Sequence, residues 1–243
     1  MYHITNGDSL TERLKTLNIE GDIITMRECL MEGPKDCSDG FEAFFKAREA
    51  FIYTQFGNEL SYEEYVVAQF RRMREIPEGS EVCFWFEDDL FCQANWWFLL
   101  YYLKDSKTKK HLIRSGDASP YSFARLGDNA LLKAYEAKEE IVEQELTALW
   151  ELYVNDDEKS IEALPESFLK KYYFVKPAFR AHIDRLPQGN SLGKPKEVLK
   201  EIGEGLGFEN FGKLFQEFKD RLPIYGYGDL QVQHMLKELK QEN

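Results

Sequence analysis

The sequence predicts an α/β protein: an N-terminal, mainly parallel, Rossmann-like sheet of about four or five strands with flanking helices, followed by a helical C-terminal region. Two observations predict the N-terminal sheet and the helical region that follows it. Apolar runs of strand length alternate with segments of helical spacing up to about residue 117, and strand-like runs largely stop after Asp128. A third observation is composition: 43% hydrophobic and 14% aromatic residues in 243 positions supply enough apolar surface for a packed core.

Four apolar runs, at residues 2–5, 22–26, 81–86 and 110–114, are predicted as strands of this sheet. Continuous apolar character is typical of parallel strands because helices cover both faces of the sheet. A first helix is predicted around residues 10–14, two more within residues 38–75, and a buried helix from Leu90 to Leu103, where apolar residues occupy nearly every face.

The C-terminal region is predicted to be helical at residues 129–153, 165–185, 195–203, 211–221 and 230–240. We therefore divide the chain into an α/β domain of residues 1–127 and a helical region of residues 128–243. The polar stretch at 155–159 indicates a further boundary, with a separate subdomain from about residue 160.

The charge and the apolar runs exclude several classes of partner. Forty-three acidic and 31 basic residues give a net charge of -12, which disfavours a general grip on nucleic-acid phosphates. The longest apolar run, residues 96–103, is too short to cross a bilayer, and the first residues lack the features of a signal peptide. We expect a cytoplasmic protein with no membrane partner.

The four cysteines, Cys29, Cys37, Cys83 and Cys92, contain no C-x-x-C pair and have apolar neighbours. This pattern favours reduced, packed thiols over a zinc site or disulfides.

Several motifs together resemble a bacterial family catalogued as domain of unknown function 1835. They are HITNGDS from His3 to Ser9, GDII from Gly21 followed by Arg27, Glu28 and Leu30, EGP from Glu32, and the Trp85–Gln93 segment WFEDDLFCQ. The resemblance covers about residues 1–125 strongly and the tail more weakly, through Ala181, His182, Arg185 and Pro187. The tail departs from the family where its usual Asn-Gly-Leu reads Asn190-Ser-Leu192. The family name implies no activity.

Polar clusters follow each predicted strand, where the carboxyl ends of parallel strands form a ligand-binding edge. Gly7 can adopt the positive φ of a tight turn, and Arg27 can clamp an anion through two hydrogen bonds. We expect a small polar, anionic ligand that bears a phosphate or carboxylate. Its candidate binding residues are Asn6, Gly7, Asp8, Ser9, Arg27, Glu87 and Gln93.

Structural roles are the alternative for these residues. Asp8 or Ser9 could simply cap the first helix. Arg27 could instead form a salt bridge to Glu28, Glu32 or Glu87.

A second hypothesis is an enzyme that processes phosphoesters with Mg²⁺, the one cofactor the residues suggest. Its candidate metal ligands are Glu87, Asp88, Asp89 and Asp117, with Asp8 as an alternative to Asp117. Against it, Asp88 or Asp89 could only cap the following helix. Candidate catalytic residues are His3, Asp8 and Glu87, although a strand histidine such as His3 is typically a core residue. The residues leave open whether the protein is an enzyme.

A third hypothesis treats the helical tail as the helix-turn-helix-like module of a regulator. After position 159 the tail has 13 basic and 12 acidic residues, whereas DNA-binding domains concentrate basic residues on one face. We therefore expect the tail to pack against the α/β domain or against a second subunit of a homodimer, and not to bind DNA.

Overall fold

The computed structural model describes residues 1–57, 60–142 and 146–241. Its contacts divide the chain into two compact units. The first unit contains residues 1–88 and 92–155, and the second contains residues 89–91 with the chain from Asp156 onward. The sheet belongs to the first unit, and the described part of the second unit is helical. The predicted fold class is therefore confirmed.

The sheet has five strands in the order β2-β1-β3-β4-β5. Four of them pair in parallel: β1 Tyr2–Asn6, β2 Asp22–Met26, β3 Glu81–Trp85 and β4 Lys109–Ile113. The two-residue β5, Glu139–Glu140, pairs antiparallel with β4. Because β2 lies on one side of β1 and β3 on the other, the order of the strands reverses between β1 and β3.

The helices up to Asn155 are α1 Asp8–Thr16, α2 Phe41–Phe56, α3 Ala68–Arg74, α4 Leu90–Tyr102, α5 Asp128–Glu136 and α6 Leu149–Val154. A π-helical turn, Glu63–Val67, precedes α3, and a short 3-10 helix spans Phe123–Arg125. The predicted buried helix is α4, in which Trp96, Trp97 and Phe98 are fully buried. Among the described helices, none combines the length and apolar character that crossing a membrane requires.

The second unit contains α7 Glu158–Glu162, α8 Glu166–Lys171, α9 Val175–Asp184, α10 Lys194–Leu206, α11 Phe211–Arg221 and α12 Asp229–Gln241. In this unit, His182 and Arg185 of the tail motif that resembles the family take part in a cluster of hydrogen bonds. His182 is fully buried, its Nε2 lies 2.7 Å from Asp156 Oδ1, and Arg185 Nε donates to its Nδ1 over 3.2 Å. These contacts give His182 a structural role.

The prediction of one helix over residues 129–153 is wrong. Helix α5 ends at Glu136, and the chain then pairs with β4, where Ile141 N donates to Lys110 O over 2.9 Å. This pairing satisfies backbone groups at an edge that would otherwise be open. The helical pattern of the sequence does not show it, and residues 143–145 of that range lie outside the described residues.

The prediction of one helix over residues 165–185 is also wrong, because α8 and α9 are separated at residues 172–174. Tyr172 and Phe174 are both buried. At about 100° per residue, an unbroken helix would place them on nearly opposite faces. The break allows both rings to enter the core.

Candidate functional site

A cavity of about 240 Å³ lies at the carboxyl edge of the sheet, between the ends of β1 and β3. Its lining residues are Asn6, Ser9, Leu10, Arg13, Trp85, Glu87, Ser122, Phe123 and Ala124. Asn6, Ser9 and Glu87 are sequence-predicted ligand residues, so the fold brings three of the seven together. The cavity also coincides with the point where the strand order reverses.

One side of the cavity is apolar. The rings of Trp85 and Phe123 meet edge to face with centroids 5.8 Å apart, and Leu10 adds an aliphatic surface. Trp85 is held by the hydrogen bond from its Nε1 to His3 Nδ1, 3.1 Å long. This side can pack against the carbon skeleton of a ligand.

Glu87 is the acidic group of the cavity. Its Oε1 accepts a hydrogen bond from Phe123 N, and its Oε2 accepts one from Cys92 Sγ at 3.3 Å. Burial raises the pKa of the Glu87 carboxyl, and the neighbouring Asp88 adds to the rise, whereas the two hydrogen bonds oppose it. Glu87 therefore holds a proton to a higher pH than an exposed glutamate, and it can accept a hydrogen bond from a ligand when ionised or donate one when protonated.

Asn6 has a fixed side-chain orientation. Its Oδ1 accepts from Asn95 Nδ2 at 2.8 Å, and its Nδ2 donates to Cys92 Sγ at 3.0 Å. Asn95 is itself anchored, because its Oδ1 accepts from Leu30 N and its Nδ2 also donates to Glu28 O. Since an amide nitrogen carries two hydrogens, Asn6 keeps a second donor for a ligand.

The start of α1 borders the cavity through Ser9 and Leu10. Gly7 is the N-cap residue, with φ 101°, so Asp8 and Ser9 lie within the first turn of the helix and neither occupies the N-cap position. The alternative that Asp8 or Ser9 serves only as a cap is therefore wrong. A side-chain carbon placed on Gly7 would have no described atom within 4 Å, but Gly7, a predicted ligand residue, is not among the lining residues of the cavity.

Arg13 lines the cavity and was missed by the sequence reasoning. Its Nη1 donates to Phe123 O at 3.2 Å, and its Nη2 donates to Leu126 O and to Asp128 Oδ1. It thus ties α1 to the 3-10 helix and places a positive charge beside the cavity. The available signal was its position four residues after Ser9, on the same helix face.

Ser122, Phe123 and Ala124 were missed as well. They lie in the connection between β4 and α5, where no periodic pattern marks them. Only tertiary packing brings this segment to Arg13 of α1 and to Glu87.

Asp8 and Arg27, both predicted ligand residues, bind each other and are not among the lining residues. Arg27 Nη1 also donates to Tyr65 O at 3.1 Å. The sequence alternatives paired Arg27 with Glu28, Glu32 or Glu87, but the structure pairs it with Asp8. The Glu28 carboxylate is instead held by Arg48 and Tyr62.

Gln93 and His3 also lie outside the cavity lining. Gln93 is fully buried, and its Nε2 donates to Glu87 O at 2.8 Å, which anchors the backbone of Glu87. His3 is a buried residue near the opposite end of β1, with Nε2 3.1 Å from Glu20 O and Nδ1 accepting from Trp85. Burial lowers the pKa of His3.

The candidate metal ligands have other partners. Asp88 is bound through both oxygens to Arg114, with an Nε–Oδ1 distance of 2.7 Å, and Asp117 Oδ1 lies 3.6 Å from the same guanidinium. Asp89 is grouped with the second unit, where it packs against Gly226. Mg²⁺ ligation by Asp8 or Asp88 would require an arginine to leave its carboxylate. Asp8, Asp88 and Asp117 are therefore poor Mg²⁺ ligands in this arrangement.

A scan against protein-family models and searches of curated proteins and of solved structures found no match to this chain. Fold and site by themselves define a class: an α/β protein with a small cavity, polar on one side and apolar on the other, at the reversal point of a mainly parallel sheet.

Proposed function

We propose that this protein binds a small polar ligand, bearing a phosphate or carboxylate, in the cavity between β1 and β3. The observation that carries the proposal is the coincidence of this cavity with the reversal of the strand order. In open α/β sheets, that crevice is where ligands bind, because the loops on either side diverge there.

The size of the cavity supports a small ligand. At about 240 Å³ it lies below the roughly 300–1,000 Å³ of pockets for drug-sized molecules. A sugar phosphate or a hydroxy acid matches this volume better than a dinucleotide does.

The polar groups support a ligand with both an anionic group and a hydroxyl. Ser9 and the second Asn6 hydrogen supply donors on the α1 side, and Arg13, whose guanidinium also pairs with Asp128, adds positive charge. Glu87 supplies an acceptor on the β3 side. An anion near Arg13 with a hydroxyl directed at Glu87 would satisfy both sides.

The other expectations stay predictions: membership of the family named domain of unknown function 1835, a cytoplasmic location, a homodimer and the regulator hypothesis. Asp88 and Asp117, which both lie against Arg114, give the Mg²⁺-dependent enzyme no advantage over simple binding.

A thermal-shift screen tests the proposal with inorganic phosphate, ribose 5-phosphate, glycerol 3-phosphate and lactate. The variants are Glu87→Gln and, as a matched control on the exposed face of α1, Glu12→Gln. We expect at least one compound, at about 100 times its Kd, to raise the Tm of wild type and Glu12→Gln by about 5–10 °C. The same compound should raise the Tm of Glu87→Gln by less.

Two results would contradict the proposal. One is that no compound shifts the wild-type Tm. The other is that a compound shifts wild type and Glu87→Gln equally, since it would then bind away from Glu87.

A further inference from the structure

Helix α4 presents Cys92 to the polar side of the cavity, although Cys92 is not among the lining residues. We propose that Cys92 is a positioning residue that fixes the orientation of Asn6 and Glu87 relative to each other. Its importance for binding rests on the proposed function, but the positioning itself can be measured without a ligand.

The thiol of Cys92 bridges the two side chains. Its sulfur accepts from Asn6 Nδ2 at 3.0 Å and donates to Glu87 Oε2 at 3.3 Å. A thiol has both a hydrogen and lone pairs, so it can do both at once. Only 4% of Cys92 is exposed, so bulk water does not compete for these contacts.

Asn6 and Glu87 each have one of their two terminal atoms held by a residue other than Cys92. Asn95 holds the oxygen of Asn6, and the Phe123 amide holds Oε1 of Glu87. Cys92 fixes the remaining end of each. Asp88, next to Glu87 in the chain, and Arg13, which lines the same cavity, are among the charged groups around the Glu87 carboxyl.

The size of sulfur suits this bridge. Because a C–O bond is shorter than a C–S bond, a serine Oγ at this position would lie farther than Sγ from at least one partner, and O–H···O hydrogen bonds need about 2.5–3.0 Å. Cys92→Ser should keep one contact and weaken the other, whereas Cys92→Ala should lose both.

The experiment compares Cys92→Ala and Cys92→Ser with Cys83→Ala. Cys83 is a fully buried cysteine of β3, and no hydrogen bond from its thiol is found within the described residues, so its variant controls for lost packing. The first readout is the S–H infrared band of each cysteine, isolated by subtracting the spectrum of its alanine variant from that of the wild type. The second is the pair of NMR signals of the Asn6 side-chain amide.

We expect the Cys92 S–H band at a lower frequency than that of Cys83, because a donating thiol has a weaker S–H bond. Cys92→Ala should shift the Asn6 amide signals, Cys92→Ser should restore them in part, and Cys83→Ala should leave them in place. A Cys92 band at the Cys83 frequency, or Asn6 signals unchanged in Cys92→Ala, would overturn the positioning role.

Binding of ribose 5-phosphate gives a second readout. If the wild type binds it, Cys92→Ala should weaken affinity about tenfold, comparable to one lost hydrogen bond, and Cys92→Ser by less. Equal affinity in wild type and Cys92→Ala would overturn the role in binding. If no compound of the screen binds to wild type, the proposed function fails, and the infrared and NMR results still decide the positioning.

Discussion

The Arg27 guanidinium holds the Asp8 carboxylate through Nε, which lies 2.9 Å from each carboxylate oxygen, and through Nη2, which lies 2.6 Å from Oδ1. The pair joins the residue after β2 to the first residue of α1. As a consequence, two side chains that the sequence assigns to an anionic ligand neutralise each other outside the cavity.

Replacing Arg27 by alanine should have only a small effect on stability. The two side chains are 29% and 60% exposed, and pairs of this kind contribute less than about 1 kcal/mol, screened further by salt. Urea unfolding of Arg27→Ala, Asp8→Ala and the double variant measures the coupling. Ligand binding in the thermal-shift screen should persist in Arg27→Ala, and its loss would show that Arg27 contacts the ligand.

Breaking the Glu28–Arg48 pair should have a much larger effect. Both side chains are fully buried, and Tyr62 also donates to Glu28. Removing one partner leaves a buried charge unpaired, so Arg48→Met should reduce the free energy of unfolding by about 3–5 kcal/mol. Urea unfolding measures the loss, with Tyr62→Phe as the milder comparison at about 1–2 kcal/mol. A loss below that of Tyr62→Phe would contradict a charged pair.

Ionisation of the Glu87 carboxyl should lower the free energy of unfolding as the pH rises. Burial raises the pKa of Glu87 in the folded state above the unfolded value of about 4.3. Between these two pKa values the folded state binds the proton and the unfolded state does not. The stabilisation is complete below the unfolded pKa and is lost as the pH rises through the folded pKa.

Glu87→Gln cannot ionise, so its stability relative to wild type should increase above about pH 4 and level off beyond the folded pKa. Urea unfolding at intervals from pH 4 to pH 8 measures this, and Glu12→Gln controls for the loss of one negative charge. A constant difference between Glu87→Gln and wild type would contradict the raised pKa.

The two glycines that flank α10 should differ in their tolerance of a side chain. Gly193 and Gly207 have φ values of 84° and 80°, but a methyl group on Gly193 would collide with the Arg185 carbonyl. On Gly207 it would have no described atom within 4 Å. Gly207→Ala should cost about 1–2 kcal/mol for the positive φ, and Gly193→Ala about 1–3 kcal/mol more. Urea unfolding compares them, and equal losses would be inconsistent with the collision.

The candidate site could be predicted only in part. Asn6, Ser9 and Glu87 were accessible because a residue directly after a parallel strand lies at the carboxyl edge wherever the sheet is placed. Arg13 was accessible only through its place four residues after Ser9 on the same helix face, and Phe123 was not accessible, since its position beside the cavity depends on how the connection after β4 folds back onto α1.

The sequence by itself determined the four parallel strands, the buried helix α4 and the last three helices, because local apolar periodicity is strong enough there to set the type of element. Tertiary structure decided the breaks within residues 129–153 and 165–185, because edge pairing and the burial of Tyr172 and Phe174 depend on neighbours distant in sequence. It also decided the partner of each charged side chain. Arg27 has several acids within reach along the chain, and only the packing of β1 beside β2 brings Asp8 to it.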